Sequence, residues 1–332
     1  MPQKPATGRA RTERLAKNPE VYKVVPIVKQ LVLGFSALLL TAASPRNEGT
    51  IRLKDLTPKF LTFYRAAKSE HASPERRFQL WKQDYGFATV PPTPEGDRIA
   101  RKLLDEAWPK YPSVMARIEK GAAGIHPSPE ATLRRVVALL KPGKPIHVNL
   151  IVFVGELEEN TFTVGQNGTA TVAIPVEEDS YDLGPAMAQE FTHAVRIDMG
   201  MSSGGWIRTI GETTLDLGLA LRVTQQLYPH RPPASYLETA SEPGWFANAE
   251  ARRFAVLRDV RAALGSNSSD DVMRFTMGKG PSGLDREAYY AGWSVVGYWL
   301  KHGMTLADII RIPEADAPDR VRAAIDAILH GG

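Results

Sequence analysis

Between residues 142 and 200 the chain changes its hydrophobic period, and this change limits the folds open to it. After Pro142-Gly143-Lys144-Pro145, residues 146–154 are dominated by Val, Ile, Leu and Phe, the composition of a strand. Shorter runs of the same kind cover 161–164 and 169–176, separated by Gln166-Asn167-Gly168, a turn signal that predicts a hairpin. From Leu183 onward apolar residues recur at spacings of three and four, which predicts a helix over 183–199, begun near Asp182 and closed by Gly200. Strands that feed a helix in this way predict an α+β fold with a small mixed or antiparallel sheet. Residues 169–176 are expected to be its edge strand.

Elsewhere the pattern is helical. Helices are expected over 56–68, 74–85, 94–120 and 128–140, with Pro-rich joints at 90–94 and 126–129. After the motif helix, further helices are expected over 206–228, 246–264, 288–302, 304–310 and 318–329. The expected organisation is a leader over 1–43, a helical region over 46–143 and a strand-and-helix region over 144–332, the last two forming one compact domain.

The 332 residues carry a net charge of +4, but it is unevenly spread. Residues 1–30 hold seven Lys or Arg against Glu13 and Glu20, so this stretch is +5 and the rest of the chain is −1. A nucleic-acid partner requires a basic face on the folded part, so none is expected. The apolar run 31–43, ending in small residues after the basic stretch, reads as a secretory signal peptide or an uncleaved membrane anchor. Either way the folded part is expected outside the cytoplasm, touching a membrane only through this segment. Cysteine is absent, so a metal would have to be held by His, carboxylate or amide oxygen.

Within the predicted helix stands Gln189-Glu190-Phe191-Thr192-His193. It differs at its first letter from H-E-x-x-H, in which two histidines one helical turn apart bind zinc and the glutamate activates water. The longer stretch Ala188-Gln-Glu-Phe-Thr-His-Ala-Val195, with Ile210-Gly-Glu-Thr-Thr-Leu-Asp-Leu-Gly-Leu-Ala220 after it, resembles bacterial predicted zinc-dependent proteases of the gluzincin type. There the matching segments look like A-H-E-F-T-H and E-G-L-A. Tyr289-Tyr-Ala-Gly-Trp-Ser-Val-Val-Gly297 and Thr305-Leu-Ala-Asp-Ile309 also resemble that family's C-terminal helices, so the likeness covers roughly 146–312. It implies a zincin-like fold and peptide hydrolysis, with Glu190 as general base and Tyr289 as a phenol on the cleft rim able to donate to an oxyanion.

The departures fall where zinc would sit. Gln189 replaces the first histidine and Leu217 stands at the glutamate position, leaving His193 as the remaining family ligand. Glu212 and Asp216 are the nearby carboxylates that could substitute. At about 100° per residue, however, they point about 140° and 100° away from Leu217. Leu217, Ile210 and Leu221 are expected to face the motif helix, with the carboxylates turned elsewhere. A neutral amide is a poor zinc donor, so zinc is expected to bind weakly or not at all. Two readings follow: an exported zincin-fold protein with a decayed metal site that holds a peptide or protein in its cleft, or an active metallopeptidase with an unusual ligand set. A third is an extracytoplasmic structural domain. Gly278-Lys-Gly-Pro-Ser-Gly283 matches G-x-G-x-x-G without a preceding strand and reads as a loop; no G-x-S-x-G elbow or Walker loop occurs.

Overall fold

The computed structural model describes residues 49–87, 93–157, 161–177, 183–205, 207–239 and 242–331; the expected leader lies outside them. Among these residues, β1 (Gly49–Asp55), β2 (Ile146–Phe153), β3 (Phe162–Gln166) and β4 (Thr169–Pro175) make one sheet in the order β1-β2-β4-β3. β1, β2 and β4 are parallel, and β3 runs antiparallel to β4. The β3–β4 turn has positive φ at both central residues, 51° at Asn167 and 73° at Gly168, the geometry that Asn-Gly adopts most readily between twisted strands.

Two expectations are corrected here. The 46–143 region is not wholly helical, because Gly49–Asp55 pairs in parallel with β2. The edge strand beside the motif is also β3 rather than 169–176, since β4 is hydrogen-bonded on both sides. Side chains alternate across the sheet. Val148, Leu150, Val152, Ala170, Val172 and Ile174 enter the main core, while Ile151, Phe153 and Ala173 meet Leu56 and Phe87 in a small cluster on the other face.

Between β1 and β2 run α1 (Thr57–Ser69), α2 (Pro74–Asp84), α3 (Pro94–Ala107), α4 (Tyr111–Ile118) and α5 (Pro129–Leu140). Three of these begin with the same device. Ser73, Thr93 and Ser128 accept a hydrogen bond from the third helical N–H, and each is followed by a proline in the first turn, where its missing N–H costs nothing. The single helix expected over 94–120 is two: the first ends at Ala107, just before Pro109, which cannot donate to the carbonyl one turn back, and Pro112 sits in the first turn of the second.

The C-terminal part contains α6 (Leu183–Asp198), α7 (Ile210–Leu227), α8 (Ala234–Leu237), α9 (Trp245–Ala251), α10 (Arg253–Ala263), α11 (Ser269–Thr276), α12 (Glu287–Lys301), α13 (Leu306–Ile309) and α14 (Ala317–Leu329). α7 starts later than 206 because Thr209 is its N-cap, accepting from Glu212 N–H at 3.1 Å. The helix expected over 246–264 breaks at Arg252, whose φ of −107° and ψ of 10° end α9. Buried apolar side chains from Phe60 to Ile325 form one contiguous cluster.

Within that cluster α6 lies on the main face of the sheet and α7 crosses it. α12 packs against α7 through two glycines. A Cβ on Gly218 would lie 2.2 Å from the Gly292 carbonyl oxygen, and one on Gly292 would lie 2.3 Å from that of Thr214. The backbones therefore touch, and this contact sets the position of the first turn of α12.

Candidate functional site

α6 is buried along most of its circumference, with Met187, Ala188, Phe191, Ala194 and Val195 closed off from solvent. Apolar residues at these spacings clamp the helix to the sheet, each full burial contributing about 1.5–3 kcal/mol for the larger side chains. Pro185, Gln189, Glu190 and His193 are only half-buried and form a partly open stripe. The helix closes at Gly200, φ 73°, where Gly200 N–H donates to Ile197 and Met201 N–H to Arg196, the left-handed ending that glycine allows.

The open stripe runs beside β3. The Thr163 hydroxyl lies 2.6 Å from Glu190 Oε2 and 3.1 Å from the Glu190 carbonyl oxygen, tying the edge strand to the motif carboxylate. Sequence reasoning did not single out Thr163, because nothing in a short strand marks which threonine faces a neighbouring helix.

Behind the stripe is a buried charge cluster. Arg196 is fully buried; its guanidinium meets both Glu212 oxygens at 3.0 Å and Asp216 Oδ1 at 2.7 Å. It also donates to the carbonyls of Ile312 and Met201 at 3.1 and 3.3 Å. Asp216 Oδ2 receives Arg208 at 2.6 Å and lies 3.4 Å from His193 Nδ1. One carboxylate thus faces three cationic or imidazole groups, two from α6 and one from the segment before α7. With Nδ1 held toward Asp216, the imidazole presents Nε2 outward.

The electrostatics follow from this packing. Burial would raise the Asp216 carboxyl, but Arg196, His193 and Arg208 outweigh it and hold the group well below the usual range. Burial and the Asp216 charge raise Glu212 to about 7 against the pull of Arg196. Burial would lower His193, but Asp216 and Glu190 reverse that and its pKa is raised. Burial raises Glu190, with His193 and Thr163 opposing. Tyr289 sits within electrostatic reach of Glu190 and Arg208, and its phenol is raised by burial and by the Glu190 charge. Its ring is covered by the Arg286 guanidinium, 5.1 Å from the centroid.

The structure therefore gathers Gln189, Glu190, His193 and Asp216, with Tyr289 close by on the first turn of α12. The expected direction of the α7 carboxylates is corrected. Glu212 and Asp216, one turn apart, face α6, because Arg196 on the buried side of that helix requires counter-charges. They are nevertheless poor substitutes for a zinc ligand, being committed to Arg196 and Arg208. Leu217 is half-buried against the core and has no donor atom. Around His193 the available donors are a neutral amide at 189 and the Glu190 carboxylate, which do not make a zinc ligand set. Among the described residues no group of three or more His, Asp or Glu could hold a metal ion. The Gly278–Gly283 stretch is a loop, as expected, held by Glu287 accepting from Ser282 N–H at 2.9 Å and from its hydroxyl at 2.6 Å.

Arg196 and Arg208 were missed by sequence reasoning. A signal existed for Arg196, a charge on the buried face of an apolar helix, opposite two carboxylates spaced by four. No family model matches the chain, and no curated protein or solved structure is similar enough to it to indicate kinship.

Proposed function

We propose that the protein is a zincin-like scaffold that binds an extended peptide segment along β3 and the open stripe of α6, without a catalytic zinc. The observation that carries this reading is the junction of β3 with the motif helix. Antiparallel pairing sends alternate residues of an edge strand outward. Gly165 N–H points away from β4, to Gly204, so the N–H and C=O of Thr163, two residues earlier, point outward as well. Among the described residues these groups have no partner. An edge with free peptide groups beside a polar stripe suits an added strand, and Glu190, hydrogen-bonded to Thr163, stands beside it. The resemblance of 188–195 and 210–220 to zinc-dependent proteases supports the scaffold; Gln189 and Leu217 set the site apart from an active one.

The test is metal content. Purified full-length protein, dialysed against zinc-free buffer, should retain far less than one zinc per chain. The Gln189→His, Leu217→Glu variant should gain none, because α7 turns Glu212 and Asp216 toward α6 and position 217 about 100° away from Asp216. Stoichiometric zinc in the unmodified protein, lost on His193→Ala, would replace this reading with that of an active metallopeptidase.

A further inference from the structure

The outward edge of β3 is blocked two residues beyond Thr163. Gly165 N–H donates to the Gly204 carbonyl at 3.0 Å, so the segment 203–205 crosses the edge there. The approach needs glycine on both sides. A Cβ on Gly165 would lie 2.1 Å from Ser203 O, and one on Gly204 would lie 2.6 Å from Gly165 N and 2.4 Å from Ile197 Cδ1. Gly204 also has a φ of 63°, which side chains disfavour.

The crossing is pinned in place. Ser203 N–H donates to Glu314 Oε2 at 2.6 Å and its hydroxyl to Oε1 at 3.3 Å, while Glu314 N–H donates to the Met201 carbonyl at 2.8 Å. It is a wall at the Gly165 end of the site, and an added strand cannot continue past it along the sheet edge.

The wall also orients the ligand. An antiparallel partner exchanges both hydrogen bonds of Thr163 with one of its own residues, whereas a parallel partner needs two residues for the same pair. A strand antiparallel to β3 runs away from the wall, so its first residue is the one against it. The charged group touching Thr163 is Glu190, 2.6 Å from the hydroxyl, and a carboxylate there complements an ammonium.

We propose that the site takes the free amino terminus of a peptide, its ammonium held by Glu190, and excludes the interior of a longer chain by the 203–205 wall. This rests on the peptide-binding reading above. A charge-assisted hydrogen bond contributes about 1.5–3 kcal/mol, which corresponds to a preference of roughly tenfold or more.

The experiment uses immobilised full-length protein and a randomised octapeptide pool. Half of the pool is amino-terminally free and half acetylated with an isotopically distinct residue, and the retained peptides are read by mass spectrometry. Free-amine peptides should be enriched roughly tenfold, and Glu190→Gln should bring the ratio near parity. Equal retention of the two halves overturns the terminal assignment while peptide binding stands. A preference abolished by carboxyl-terminal amidation instead overturns the orientation. Retention of neither half removes the peptide-binding reading and this inference with it.

Discussion

Replacing Arg196 by Met keeps most of the side-chain volume and removes the cation from a site closed to solvent. The guanidinium is fully buried, pairs with both Glu212 oxygens at 3.0 Å and with Asp216 at 2.7 Å, and also donates to the Ile312 and Met201 carbonyls. Breaking a buried pair by deleting one partner costs about 3–5 kcal/mol, because the other charge is left uncompensated. Against a total stability of about 5–15 kcal/mol, that is a large share. Asp216 keeps Arg208 and His193, so Glu212 carries most of the loss. Glu212→Gln in the Arg196→Met background should therefore restore part of it, with the two changes non-additive by about 1–3 kcal/mol. Its sign with pH is fixed by Glu212, whose folded pKa of about 7 is already raised. A carboxyl raised on folding loses stability as pH climbs through that value, so the deficit of Arg196→Met should shrink as pH falls from 7 toward 5. Urea unfolding followed by far-ultraviolet circular dichroism and tryptophan fluorescence at pH 5, 6 and 7 measures all of this. A loss below about 1 kcal/mol at pH 7, or no coupling between the two substitutions, would refute the account of the cluster.

His193 should titrate above its ordinary value of 6.5, because Asp216 and Glu190 outweigh burial. Its contribution to stability is then complete below about 6.5 and lost as pH rises through the folded pKa. Imidazole proton shifts should show this, and Asp216→Asn should lower the midpoint; an unmoved midpoint counts against the Asp216 contact. Gly218→Ala should destabilise by about 1–3 kcal/mol through overpacking against Gly292, seen as a lower melting temperature. A neutral result would mean that α7 and α12 are not in backbone contact.

How far the sequence predicts the structure depends on the range over which each feature is decided. The hairpin at Asn167-Gly168 and the stripe of Gln189, Glu190 and His193 follow from turn chemistry and helical period, both local. β1 does not, since Gly49–Asp55 interleaves charged and apolar residues and becomes a strand only through pairing with Ile146–Val152, far along the chain. The split of 94–120 could be read from Pro109, with Pro112 opening the next helix. The rotation of α7 could not be settled from α7 alone, because apolar and acidic residues occupy adjacent faces and the choice is made by Arg196 on the other helix. Edge position was misassigned to 169–176 because strand order is a property of the sheet and not of any one segment.

The parallel pairing of β1 with β2 has a consequence for synthesis on the ribosome. From the end of β1 to the start of β2 lie about 90 residues, all of α1 to α5. At roughly 5–20 residues per second, β1 emerges about 5–18 s before the strand it must join. Throughout that interval its peptide groups are paired with no strand and its alternating Ile51 and Leu53 are exposed, an edge that other nascent chains can template. The charged residues interleaved with them, Arg52 and Lys54, are the kind that discourages such pairing. The same composition that hides β1 from a sequence reader protects it while it waits for its partner.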